Sequence, residues 1–284
     1  MTHATEDWND LAAQAASGFF LQGPISNEAA FYDLARAHVD QVQIDQAHGL
    51  LARAVLGGLY ADRFAWVFLA GYQPAIQHTF LNRAFDDWAS FAVSEDRTGE
   101  LPPVTWTAQD NGFVVNGVKT WVAGVEHMRH LIVKAGRGPQ ARYFVIDRAQ
   151  SGLRLSTKRE GFLAEMTEGI AELNNVRLSQ DDLLDAADVK QFGTREFLYI
   201  YGAFCGLVAG HCNADHLVGQ AWSLIKRIGQ ILEVPGDLAE LKAVDVAIQQ
   251  LRREGQSQVR DVVGWENDQR LIAIYSKPIQ ARMM

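Results

Sequence analysis

The feature that most constrains the fold is a change of pattern along the chain. Residues 1–90 carry apolar residues at helical spacing, residues 91–180 form short β-branched and aromatic runs separated by turn residues, and residues 181–284 return to helical spacing. The β-rich stretch is not interleaved with helices, which favours antiparallel pairing over a parallel βαβ sheet. We therefore predict an α+β fold with an N-terminal helical domain (1–90), a middle antiparallel β-barrel or sandwich domain (91–180) and a C-terminal helical bundle (181–284).

The pair Asn116-Gly117 is the strongest local signal in the middle region, because it lies between the β-branched runs 113–115 and 118–122. Both central residues of a type I′ hairpin turn need positive φ, which asparagine and glycine tolerate best. The pair therefore predicts a tight hairpin turn at this point.

Three glycines recur every fourth residue in an apolar helical segment, at Gly202, Gly206 and Gly210. Such a spacing places them on one face of the helix, where the absence of side chains lets another helix approach closely. Because a close-packing surface on a terminal domain needs a partner, we predict a homo-oligomer, most simply a dimer, formed through the C-terminal helices.

The charge of the chain restricts its partners. A net charge of -8 over 284 residues gives no attraction to phosphate backbones or anionic lipids, so we expect neither nucleic-acid nor membrane partners. The two cysteines, Cys205 and Cys212, lie two helical turns apart, roughly 10 Å, which is too far for a disulfide. Reduced thiols and an acidic N-terminal segment without signal-peptide character predict a cytoplasmic protein.

No sequence motif indicates a metal or a nucleotide site of a common type. His127 and His130 lie three residues apart, and His211 and Cys212 precede His216, but neither group has the third and fourth converging ligands that zinc needs. We therefore expect no metal. The glycine patterns of dinucleotide-binding folds and P-loops and the serine-hydrolase motif are also missing from the sequence.

Three segments resemble the acyl-CoA dehydrogenases. Asn116–Val122 matches the family pattern N-G-x-K-x-W-[IV]. Phe91–Glu95 is similar to the strand that carries their [FLC]-x-x-T-E signature, and Glu172–Leu178 is similar to their E-L-x-F-D-x-V-x-V-P segment. The three segments occur in the order and spacing of the family. The resemblance implies a β-domain between two helical domains, with a C-terminal helical domain that is shortened against the family.

The resemblance also implies a cofactor, FAD, held between the β-domain and the C-terminal helices, with FMN or no flavin as alternatives. Ser94 takes the place of the family threonine near the flavin, and Trp121 matches the tryptophan that packs beside the isoalloxazine ring. Val122 follows in the same segment, and Ala123 replaces a serine or threonine that bonds the flavin. Arg227 lies in a segment similar to the family's R-x-x-F-G, which contacts the flavin pyrophosphate.

The catalytic residue stays unassigned, because none of the late acidic residues lies in the family's motif. One alternative is a flavin-dependent oxidoreductase that acts on CH–CH groups of an acyl thioester or another small molecule, with low or lost activity. The other is a non-catalytic binding or partner subunit, which could form a hetero-oligomer with a full-length homologue. The segment 122–127 is also similar to the S-G-x-x-H stretch of flavin-dependent monooxygenases of this fold, which leaves a reduced-flavin monooxygenase open.

Overall fold

The computed structural model describes residues 8–20, 23–42, 47–83, 85–158 and 162–281. The chain forms two compact units, a helical unit of Met1–His78 with Gly193–Met284 and a β unit of Thr79–Phe192. The three-domain division at 1–90, 91–180 and 181–284 stays a prediction. The helices on both sides of the β unit belong to one compact unit, because they bury their apolar faces against one another.

The helical unit contains a helical segment that is buried on all sides. Residues 64–69 are each no more than 3% exposed, which explains why this segment lacks a polar face. The helices before the β unit are α1 (Trp8–Ala16), α2 (Glu28–Leu34), α3 (Ala47–Tyr60) and α4 (Phe64–Thr79). Those after it are α5 (Ala186–His211), α6 (Asp215–Glu233), α7 (Leu238–Gly255), α8 (Trp265–Asp268) and α9 (Arg270–Ala281).

The glycine stripe of α5 faces α3 of the same chain. A Cβ atom on Gly206 would lie 2.2 Å from the carbonyl oxygen of Val55, and one on Gly58 would lie 1.9 Å from the carbonyl oxygen of Ala203. Gly202 faces the side chain of Leu51 on α3, and Gly210 faces the backbone of Leu59 on the same helix. The stripe is therefore filled within the chain and does not support the predicted dimer. The homo-oligomer stays a prediction without this argument.

The β unit is a sandwich of two sheets. Its strands are β1 (Ala89–Ala92), β2 (Thr105–Gln109), β3 (Gly112–Ala123), β4 (His130–Ala135), β5 (Arg142–Asp147), β6 (Leu153–Lys158) and β7 (Glu168–Ser179). One sheet has the order β1-β4-β5 and the other the order β2-β3-β7-β6. Buried residues from both sheets, among them Val115, Leu131, Phe144 and Val176, form one apolar cluster. This α+β arrangement confirms the predicted fold class.

One strand pair departs from the antiparallel prediction. β1 and β4 run parallel, with Ser90 opposite Leu131 and Ala92 opposite Val133. The two strands are separated in sequence by β2 and β3, which belong to the other sheet. This long crossover returns the chain in its original direction, as a parallel pair requires.

The predicted hairpin turn at Asn116-Gly117 is wrong. β3 continues through both residues, and the register with β7 shifts between Val115 and Gly117. The extra residue of this β-bulge lies in β7, where Asn174 and Asn175 oppose Asn116. Gly117 has φ +127°, and a Cβ atom there would lie 2.3 Å from the carbonyl oxygen of Pro103. The glycine is required by this close backbone approach and by its positive φ. The hairpin turn of the strand is at Asp110-Asn111, between β2 and β3.

Across the residues that the structure describes, every helix is too short or too polar to cross a membrane.

We predict that Gly206→Ala destabilises the protein, because the new methyl group meets the α3 backbone, which cannot move aside as a side chain can. The free energy of unfolding should fall by about 2–3 kcal/mol, as overpacking typically does. Gly219→Ala in α6 is the matched control, since a Cβ atom there meets nothing within 4 Å. That change should raise stability by up to about 1 kcal/mol. Urea denaturation measures both, and equal effects would refute the close packing of α3 and α5.

Candidate functional site

Four of the five predicted site residues lie together in the β unit. Ser94 follows β1, and residues 121–123 are the last three of β3. The backbone N–H of Thr120 donates to the carbonyl oxygen of Ser94 at 3.1 Å. Further along, the N–H of Ala123 donates to the hydroxyl of Ser90, which is fully buried, at 3.0 Å. These two bonds hold the segment after β1 against the end of β3.

The four residues differ in what they present to solvent. Ser94 is exposed, and Trp121 is half-buried. Val122 and Ala123 are fully buried, and Val122 belongs to the core between the sheets. Ser94 and Trp121 are therefore both accessible to a ligand, whereas Val122 and Ala123 belong to the buried part of the strand.

A buried ion pair lies beside Ser94. The ammonium of Lys119, which is fully buried, is 2.7 Å from Oε1 of Glu95 and 3.4 Å from the carbonyl oxygen of Val93. Burial lowers the pKa of Lys119, and the hydrogen bond and charge of Glu95 partly offset this effect. Burial by itself would raise the pKa of Glu95, but the bond and charge of Lys119 outweigh it, so the pKa lies below its usual range.

The loop after Glu95 is closed by one carboxylate. Asp96 accepts hydrogen bonds from the backbone N–H groups of Thr98, Glu100 and Leu101 and from the Thr98 hydroxyl. These bonds, led by that from Leu101, hold the pKa of Asp96 far below its usual range. A charged aspartate therefore organises this turn.

Arg227 lies in the helical unit, on α6. Its Nε donates to Oε1 of Glu240 on α7 at 2.7 Å, and about a third of each side chain is exposed. The guanidinium could still contact an anion, but it would then share its charge with Glu240. The structure therefore shows Arg227 in an ion pair between α6 and α7. Its role at a flavin pyrophosphate stays a prediction.

One histidine of the β unit, His130, pairs with an exposed carboxylate. His130 Nε2 lies 2.9 Å from Oδ1 of Asp86. Oδ2 of the same carboxylate accepts a hydrogen bond from Nη1 of Arg129 at 2.8 Å. Within the described ranges, no three His, Cys, Asp or Glu side chains are placed to share a metal ion.

Glu196 is a candidate functional residue that the sequence analysis missed. It lies on α5, is half-buried, and accepts a hydrogen bond from the hydroxyl of Tyr275 on α9 at 3.1 Å. Burial raises the pKa of its carboxyl to about 7, although the Tyr275 bond opposes the rise. A carboxylate with this pKa takes up or releases a proton at neutral pH, as a general base must.

A second carboxylate lies in the same helical unit and has a different environment. Asp245 on α7 is 1% exposed and accepts hydrogen bonds from Tyr201, Ser276 and Gln280 at 2.6 to 2.8 Å. Three donors satisfy its oxygens, as a buried carboxylate requires. Asp245 therefore joins α5, α7 and α9, whereas Glu196 has one donor and keeps capacity for another.

The signal for Glu196 was present in the sequence. It is an acidic residue in the helix that continues into the apolar stretch 197–210, where a charged side chain needs a reason. The resemblance pointed to the late acidic residues, which follow α5 in the sequence, so Glu196 was missed.

Comparisons with known proteins match the whole chain by structure and not by sequence. Protein-family models give no match, and neither do curated protein sequences. A prolyl acyl carrier protein oxidase has a TM-score of 0.72 at 12% identity over 100% of this chain and 98% of its own. An FAD-dependent dehydrogenase has a TM-score of 0.67 at 13% identity, over 99% of this chain and 93% of its own. Butyryl-CoA dehydrogenase from Megasphaera elsdenii has a TM-score of 0.64 at 8% identity, over 99% of this chain and 94% of its own. At sequence identities this low, the structural matches establish a shared fold alone.

We predict that Glu196 makes stability depend on pH. Its pKa in the folded protein, about 7, lies above the ordinary 4.5, so the folded state holds this proton more tightly. The contribution of Glu196 to the free energy of unfolding is complete below pH 4.5 and is lost as the pH rises through 7. Between these two pH values it falls by roughly 1.4 kcal/mol per pH unit. The free energy of unfolding of the wild type, relative to Glu196→Gln, should therefore fall over this interval and stay level above it. Glu266→Gln, at an exposed position, is the control, and a parallel course of wild type and Glu196→Gln would contradict the assignment.

Proposed function

Because this chain has the fold of the acyl-CoA dehydrogenases, we propose that it is a flavin-binding oxidoreductase that acts on the CH–CH bond of an acyl thioester. The observation that carries the proposal is the hydrogen bond from Thr120 to Ser94, which holds Ser94 beside the strand that contains Trp121, in a fold that matching flavoenzymes share. The cofactor that we propose is FAD, which one of the matching structures, an FAD-dependent dehydrogenase, names.

The residues at this surface fit a flavin ring in part. The half-buried Trp121 offers an aromatic side chain for packing, and the exposed Ser94 offers a hydroxyl for a hydrogen bond. Ala123 has no hydroxyl, and its N–H is already bonded to Ser90. Ser94 is therefore the side-chain donor that we assign to the flavin in the β unit. In the helical unit, Arg227 is the residue that we assign to the pyrophosphate, in competition with Glu240.

The bound flavin would supply the acceptor for a hydride from the β-carbon of the thioester. The protein must then remove a proton from the α-carbon, which needs a base that is ionised at neutral pH and shielded from water. In the helical unit, Glu196 is the candidate for such a base, because burial raises the pKa of its carboxyl to about 7. Tyr275 positions the carboxylate by donating to Oε1, and it leaves the second oxygen to accept the proton.

A non-catalytic partner subunit is the second candidate. Two observations favour it: Ala123 removes a donor that the resemblance would place at the flavin, and the charge of Arg227 is balanced by Glu240. Flavin binding distinguishes the two candidates.

We predict that the purified protein binds FAD and is yellow, with visible absorbance bands after reconstitution and gel filtration. Ser94→Ala should weaken FAD binding about fivefold, because it removes one hydrogen bond worth about 1 kcal/mol. Ser156→Ala, at an exposed serine of β6, should leave binding unchanged. A colourless protein that takes up neither FAD nor FMN would end the oxidoreductase proposal and leave the partner subunit.

We also predict that the FAD-loaded protein is reduced by an acyl-CoA from a panel of short-, medium- and long-chain thioesters, and that Glu196→Gln slows this reduction about 10²–10⁴-fold. Tyr275→Phe should keep turnover but move the acid limb of the rate profile to higher pH, since the tyrosine bond lowers the Glu196 pKa. Glu266→Gln is the control. Reduction at the wild-type rate in Glu196→Gln would show that another group is the base.

A further inference from the structure

Lys119 contacts the residues on both sides of Ser94. Its ammonium bonds the carbonyl oxygen of Val93, one residue before, and the carboxylate of Glu95, one residue after. The next residue in β3, Thr120, bonds the carbonyl oxygen of Ser94 itself. Three consecutive residues after β1 are thus fixed by two consecutive residues of β3.

Glu95 extends the same arrangement to the far side of the loop. Its Oε1, which receives Lys119, also accepts the backbone N–H of Val104 at 3.1 Å. Arg137 lies 3.7 Å from Oε2, but its side chain is 78% exposed and contributes little. The chain that leaves β1 at Ala92 is therefore held before and after the loop of Asp96 by one ion pair.

The ion pair is more than a means of packing. An apolar side chain of the same length would fill the volume of Lys119 without the cost of burying a charge, so packing alone does not require an ammonium there. What the ammonium adds is direction, because it must reach two acceptors that flank Ser94. An apolar side chain in place of Lys119 would bond neither acceptor, so the backbone on both sides of Ser94 could rotate and turn the Ser94 side chain away from the surface.

We infer that Lys119 and Glu95 are positioning residues that orient the Ser94 hydroxyl and the adjoining Trp121 toward the flavin. The inference rests on the proposed function, since it assigns the pair to the geometry of that site. Neither residue touches the cofactor in this assignment. Lys119 acts through Val93 and Glu95, and Glu95 acts through Lys119 and the loop.

The test compares Lys119→Met with the double variant Lys119→Met/Glu95→Gln. The single variant leaves the Glu95 charge buried without its partner, so it should unfold at a clearly lower temperature. The double variant removes that charge and keeps an amide oxygen for the Val104 N–H, so its melting temperature should return most of the way to the wild-type value. Its FAD affinity should stay about fivefold weaker, as the loss of one oriented hydrogen bond predicts. The visible spectrum of bound FAD should differ from that of the wild type.

A second measurement follows the site without any flavin. Hydrogen exchange at the Thr120 amide, which bonds Ser94, should be faster in the double variant, while the amides of Val114 and Val115 in the same strand exchange as in the wild type. If FAD affinity and Thr120 exchange both recover together with stability, the pair is structural and the inference is overturned. If the wild type binds no flavin, the proposed function fails. Faster Thr120 exchange would then still support the orientation of Ser94, and unchanged exchange would refute it.

Discussion

The ammonium of Lys119 cannot be buried in this protein without the carboxylate of Glu95. A lone charge at a site with no solvent exposure would cost several kcal/mol, and the pair offsets that cost only while its atoms stay within hydrogen-bond distance. The two residues lie on different segments, one in β3 and one after β1. Their contact therefore decides how these segments run beside each other, and the surface that carries Ser94 and Trp121 follows from it.

Much of the fold could be predicted from the sequence, because hydrophobic periodicity reports which face of an element is buried. It does not report what covers that face. The glycines of α5 correctly indicated a close helix contact, but the partner is α3 of the same chain. Asn116-Gly117 was misread for a related reason, since the positive φ of Gly117 lies within a strand, opposite a β-bulge of β7, and not in a turn. In both cases the local requirement was correct, and the long-range neighbour decided its meaning.

The same division holds for the candidate site. Short motifs predicted Ser94 and Trp121, and the structure brings the two segments together. Glu196 was missed because its pKa depends on burial and on Tyr275, which is far away in sequence. Arg227 shows the reverse: its sequence context resembles a phosphate contact, while its neighbour in space is Glu240. Residue type can be read from a sequence, but the electrostatic environment that gives it a role is a property of the folded chain.

The insertion of the β unit into the helical unit has a consequence for biosynthesis. α3 and α4 leave the ribosome well before α5, and residues such as Leu51, Val55 and Phe64, which are fully buried in the finished protein, then have no cover. At a translation rate of about 5–20 residues per second, the β unit takes roughly ten seconds to synthesise. During that time it can fold by itself, because it is continuous in sequence. Once folded, it shortens the effective loop between α4 and α5, which lowers the entropy cost of bringing them together. The nascent chain thus exposes an apolar surface for seconds, the condition under which a chaperone has time to bind.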